Sequence, residues 1–72
     1  MMYELRIRGQ VDKELIKQIQ DKEYKQLEGT YELYDSLYVN RYCRSYNKER
    51  IFYLGYVLAK NNIDFTFREL EG

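Results

Sequence analysis

Both ends of this chain alternate apolar and polar residues with a period of two, and that pattern constrains the fold more than any other feature. From Met2 to Arg8, Tyr3, Leu5 and Ile7 fall on one side and Glu4, Arg6 and Arg8 on the other. From Ile63 to Leu70, Ile63, Phe65 and Phe67 alternate with Asp64, Thr66 and Arg68. Period-two segments are half-buried strands. A chain that begins and ends this way needs a sheet with one apolar face, and helices to cover it.

The interior supplies two helix signals. Asp12 is an N-cap with Val11 and Ile16 at the spacing of a hydrophobic staple. Leu15, Ile16, Ile19 and Leu27 then lie close to one face of a predicted helix over 13–27, with Gly29 placed as its left-handed cap. Asn47 repeats the arrangement with Tyr46 and Ile51, and the second predicted helix runs to about Lys60, where Asn61-Asn62 stops it. Between the helices, Thr30 to Tyr34 and Leu37 to Arg44 are rich in tyrosine and separated by Asp35-Ser36, which predicts a hairpin.

The expected order is β-α-β-β-α-β, a ferredoxin-like α+β sandwich in a single domain spanning 1–72. It has a four-stranded antiparallel sheet with two helices on one face. A weak repeat agrees: Asp12-Lys13-Glu14-Leu15-Ile16 recurs as Asn47-Lys48-Glu49-Arg50-Ile51, and Tyr3 with Tyr38 and Arg6 with Arg41 match at the same offset. On the third strand, turning Leu37, Val39 and Cys43 inward leaves Tyr38, Asn40 and Tyr42 on the open face. The repeat register would turn Tyr38 inward instead, because a one-residue slip exchanges the faces.

Composition bounds the chemistry. Seventy-two residues are close to the smallest chain that folds without metals or disulfides, and such chains often gain stability from a partner or a second copy. Hydrophobic residues at 44% and charged residues at 33% are a globular balance. Lys plus Arg and Asp plus Glu are both 12, which disfavours a strong non-specific nucleic-acid binder and an acidic mimic of DNA. Cys43 is the only cysteine, reads as a small buried apolar residue, and fits a reducing, cytoplasmic compartment. No apolar run is long enough for a signal peptide or a membrane span. Abundant Tyr, Lys, Ile and Asn beside one alanine and no proline suits AT-rich codons, as in an AT-rich bacterium, phage or mobile element.

Catalytic designs are scarce. The absence of histidine removes the usual base, nucleophile activator and zinc ligand. The glycines at 9, 29, 55 and 72 are isolated, so no phosphate loop exists, and Ser36 and Ser45 lack a catalytic setting. Glu28, Glu32 and Asp35, or Asp12 and Glu14, read as caps and solvated charge, so no metal or cofactor is expected. The one enzyme class left open is a histidine-free Tyr/Arg/Lys ribonuclease, which zero net charge disfavours. The expectation is a protein without catalysis.

Two surfaces remain. From Ile51 to Ala59 every residue except Gly55 is apolar or aromatic. Ile51, Leu54, Gly55 and Leu58 suffice to pack on a sheet, leaving Phe52, Tyr53, Tyr56 and Val57 as a candidate protein-binding or homodimer surface. That reading makes the chain a small protein-binding inhibitor or regulator, acting on a host enzyme or defence complex if a mobile element encodes it. The alternative is a single-stranded RNA or DNA binder using the open sheet face, where Arg6 and Arg8 would lie beside Tyr38, Asn40 and Tyr42. In layout this resembles RNA-recognition motif domains, which stack bases on aromatics of those two strands; here the first strand has arginine where that family has an aromatic ring.

Overall fold

The structure, a computed structural model, describes residues 1–23 and 25–71. Its elements run β1 (Met2–Ile7), α1 (Lys13–Glu23), α2 (Tyr31–Asn40), β2 (Tyr42–Ser45), α3 (Lys48–Lys60) and β3 (Phe65–Leu70). The three strands form one antiparallel sheet in the order β2-β1-β3. The fold is α+β, but the expected four-stranded ferredoxin-like sandwich is wrong: among the described residues the order is β-α-α-β-α-β, with three helices and three strands.

The error lies in the tyrosine-rich segment. Thr30, Leu33, Tyr34, Leu37 and Tyr38 repeat at three and four residues, a helical stripe, and all five are buried or half-buried along α2 and its N-cap. High strand propensity of tyrosine suggested a hairpin, and tertiary burial overrides it. The supposed turn, Asp35-Ser36, sits inside the helix, where the Ser36 hydroxyl donates to the Tyr42 carbonyl at 2.7 Å. The helix closes on Arg41, whose φ of 70° is left-handed and whose N–H reaches the Leu37 carbonyl. Only Tyr42–Ser45 remains as strand.

The other signals land where the sequence puts them, with shifted ends. Asp12 caps α1 by accepting from the Glu14 N–H at 3.0 Å. Asn47 caps α3 by accepting from the N–H groups of Glu49 and Arg50. The helix expected over 13–27 is described to Glu23, and Tyr24 lies outside the described residues, as does Gly72. Gly29 does have φ of +84°, but in the α1–α2 connection.

One replacement rearranges the packing. Because a helix occupies the place of the expected second strand, its turn and the start of the third strand, α1 packs chiefly on α2. Ile16 and Ile19 are buried there, and buried Gln20 donates to the Tyr31 carbonyl at 3.0 Å. Helix α3 is left as the main cover of the sheet, touching all three strands. The core is Leu5, Ile7, Tyr34, Leu37, Cys43, Ile51, Leu54, Val57, Leu58 and Ile63 with the α1 isoleucines.

Helical α2 separates two residues that a strand would have buried together. Leu37 is 1% exposed and Val39 is 58% exposed. Leu37→Ala is therefore expected to cost about 2–5 kcal/mol and Val39→Ala no more than about 0.5 kcal/mol, measured by chemical denaturation; equal costs would restore the hairpin.

Candidate binding surfaces: an aromatic groove and an arginine face

Helix α3 turns Ile51, Leu54, Gly55, Val57 and Leu58 into the core. Gly55 is what brings it close. A Cβ there would stand 3.2 Å from the Phe65 ring and 3.6 Å from Leu5, so the glycine lets the helix lie tight against β1 and β3. The tight seat does not extend to the rim of β3. Phe67, on the same face as Leu5 by register, stays 38% exposed, and Phe52 and Tyr56 on the facing side of α3 are 50% and 62% exposed.

These residues enclose a groove of about 360 Å³ lined by Phe52, Gly55, Tyr56, Phe65 and Phe67, with Leu5 and Ile51 at its floor. The rings are ordered against one another: Phe52 tilts on Phe67 at 5.3 Å, and Phe67 stacks on Tyr3 at 6.0 Å. Lys48 and Lys60 sit over the Phe52 and Tyr56 rings at 5.2 and 5.4 Å, giving the apolar trough a basic rim. Beside it runs the outer edge of β3, hydrogen-bonded to no strand among the described residues.

Of the four positions expected to face a partner, Phe52 and Tyr56 line this groove. Val57 lies in the core at 0% exposure. Tyr53 is half-buried on another side of the helix, where its hydroxyl donates to Glu23 at 2.8 Å and Lys60 closes on the same carboxylate at 3.5 Å. The Tyr53 hydrogen bond holds the Glu23 carboxyl below its usual range. Burial, then Glu23, pushes the Tyr53 hydroxyl up to about 12. This cluster ties α3 to the end of α1 and is structural.

The opposite sheet face has a different organisation. Glu4, on central β1, stands in register with Arg44 on β2 and Arg68 on β3. Arg44 and Arg68 each direct Nε to it at 2.9 Å, one to each carboxylate oxygen, and Arg6 approaches at 3.5 Å. Glu4 is thereby 2% exposed although it lies on the sheet face turned away from the apolar core. Burial alone would raise its carboxyl, but the hydrogen bonds from Arg68, Arg44 and Arg6 outweigh burial and hold it down to about 2. The Tyr42 ring lies 4.5 Å from the Arg6 guanidinium and 5.0 Å from that of Arg44. Three guanidiniums about one carboxylate leave the patch with positive charge in a chain of zero net charge.

Among the residues expected on this face, Arg6 and Tyr42 do meet. Tyr38 packs against the core from α2, Asn40 ends that helix, and Arg8 follows β1 with its N–H on the Asp64 carbonyl. Arg44, Arg68 and the Glu4 hub were missed. The period-two alternation already puts Glu4, Arg6 and Arg68 on outward positions; strand order and register were needed to bring them together. Among the described residues no group of three His, Cys, Asp or Glu side chains is arranged to hold a metal. Nor is any helix there long and apolar enough to cross a membrane. No family model, curated protein or solved structure matches the chain.

Since the folded Glu4 carboxyl titrates below its unfolded value of 4.5, its stabilisation is complete above that pH and is lost as pH falls toward 2. Glu4→Gln is expected to lower stability by roughly 1–3 kcal/mol at neutral pH and to flatten the acid limb of the stability curve. An unchanged acid limb, read by denaturant titration at stepped pH, contradicts the hub.

Proposed function

We propose that this chain is a non-catalytic protein-binding module, an inhibitor or regulator that acts by occupying a partner through the α3–β3 groove. The observation that carries this reading is the continuous apolar trough of Phe52, Tyr56, Phe65 and Phe67 beside a free strand edge. Scattered exposed apolar residues are ordinary on any protein; a contiguous patch in register with unpaired backbone is what a binding site requires. The mode it suits is strand addition, in which a partner segment pairs with the outer edge of β3 and sets alternate apolar side chains among the rings. The basic rim of Lys48 and Lys60 favours a segment flanked by acidic residues. The lone thiol, Cys43, is buried and pushed up to about 12 by that burial, which supports a structural role and suits a reducing, cytoplasmic setting.

Peptides selected from a random display library against the protein test this. Fluorescence anisotropy is expected to show apolar, extended ligands whose affinity falls at least about tenfold in Phe52→Asp with Tyr56→Asp, two exposed positions. The same ligands should be indifferent to Arg44→Ala. Binding that ignores the groove substitutions contradicts the reading.

The arginine face supports a second reading, a single-stranded RNA or DNA site. Each of Arg6, Arg44 and Arg68 uses Nε on Glu4, which leaves its Nη donors for a ligand, and Arg6 and Arg44 lie beside the Tyr42 ring. Guanidinium forks suit phosphate, and their excess charge would make binding depend on salt. A labelled oligonucleotide is expected to bind at low salt, weaken as salt rises, and lose affinity on Arg44→Ala with Arg68→Ala. No binding at low salt removes this reading and leaves the groove untouched.

A further inference from the structure

We propose that the segment which fills the groove is the β3 strand of a second copy of this chain, paired antiparallel about a two-fold axis at Thr66. The proposal rests on the reading of the β3 edge as a protein-binding surface, and it names the partner.

Backbone geometry fixes which groups are free. The Arg8 N–H donates to the Asp64 carbonyl at 2.9 Å, continuing the register of β1 with β3. In an antiparallel ladder such bonds alternate along the strand. Asp64, Thr66 and Arg68 therefore aim their backbone groups at β1, while Phe65, Phe67 and Glu69 aim theirs at the open edge. A two-fold axis perpendicular to the sheet joins two such edges with their apolar faces on the same side, giving a contact in which each copy presents the same patch.

Side chains then separate three candidate axes, at Thr66, Phe67 and Arg68. An axis at Arg68 sets arginine against arginine, and like charges directly opposite are unfavourable. An axis at Phe67 sets Phe65 against Glu69, an apolar ring against a carboxylate. With the axis at Thr66, Phe65 faces Phe67 of the second copy and Asp64 faces its Arg68, each pair occurring twice. Arg68 is suited to this because its Nε is held by Glu4 while its side chain remains 60% exposed. Asp64 is exposed and forms no ion pair among the described residues. The charges at Arg68, Glu69 and Glu71 guard the edge against indiscriminate pairing, and this axis satisfies the arginine. It also carries Phe52 and Tyr56 of each copy toward the other's exposed Phe67, covering surface that a 72-residue chain otherwise leaves wet.

Thr66→Cys reads the axis directly. On a two-fold axis Thr66 would form a non-hydrogen-bonded pair with Cα atoms about 4.5 Å apart, inside the range of about 4.4–6.8 Å that a disulfide spans. Native Cys43 is 0% exposed and does not compete. Under mild oxidation Thr66→Cys is expected to form a reducible covalent dimer, while Lys17→Cys, on the exposed side of α1, stays largely monomeric. In sedimentation equilibrium the wild type should show a monomer–dimer equilibrium that Asp64→Lys weakens about tenfold. A wild type that is monomeric at every concentration, or a Thr66→Cys protein that cross-links no faster than Lys17→Cys, overturns the proposal. If such a monomer still binds the display-selected peptides in its groove, the second copy is wrong and the protein-binding reading stands; if it does not, both fail.

Discussion

One helix, α3, reaches all three strands on the apolar face of the sheet, and a helix about 10–12 Å across with its side chains cannot by itself shelter both outer strands to their rims. Gly55 settles which part is sealed. By letting the helix sit against Leu5 and Phe65 it closes the centre of the sheet, with Ile51, Leu54, Val57 and Leu58 fully buried. On the β2 side α2 supplies further cover, tied down by Ser36 on the Tyr42 carbonyl. Among the described residues, the β3 side has no second helix. The aromatic groove is the geometric remainder of that arrangement, and its exposed rings follow from the fold as directly as the buried core does.

The other face of the sheet solves a different problem. A carboxylate at the middle of the central strand would be poorly solvated between two flanking strands, and burying a charge is costly unless it is paired and hydrogen-bonded. Arg44 and Arg68 arrive from both sides to meet one oxygen each, so the three strands are linked across their open face by charge as well as by backbone. Arginine serves better than lysine here, since its planar fork can hold Glu4 by Nε and still present other donors. The lysines, by contrast, all lie outside the strands. The two faces thus divide the labour: one is closed by apolar contact and leaves a groove, the other is closed by ion pairs and leaves positive charge.

How much of this could be read in advance depended on whether the signal was local. The two terminal strands, the Asp12 and Asn47 caps and helix α3 are written in short-range periodicity and capping chemistry, and the structure has them. The segment from Thr30 to Arg44 carried two signals at once, strand-forming tyrosines and a helical stripe through Leu33, Tyr34, Leu37 and Tyr38, and only burial against α1 and the core decides between them. That one segment changed the sheet from four strands to three. It also explains why the candidate surfaces were half legible. Phe52 and Tyr56 were identifiable as surplus to the α3 packing face, but Val57 had to be sunk into the core by helices whose positions depended on α2. Arg6 and Tyr42 were identifiable as outward positions, but Arg44 and Arg68 joined them only through register, which no single stretch of sequence encodes.

The central claim is that the outer edge of β3 is an unpaired backbone edge held ready beside an apolar groove. Residue-resolved amide hydrogen exchange, followed by NMR at low and high protein concentration, tests it most directly. In dilute protein the amides of Phe65, Phe67 and Glu69 should exchange fast while those of Thr66 and Arg68 are protected by β1; at high concentration Phe65 and Phe67 should become protected as well. Uniform protection along β3 in the dilute monomer would contradict the account, and an alternation that concentration never alters would contradict the paired second copy.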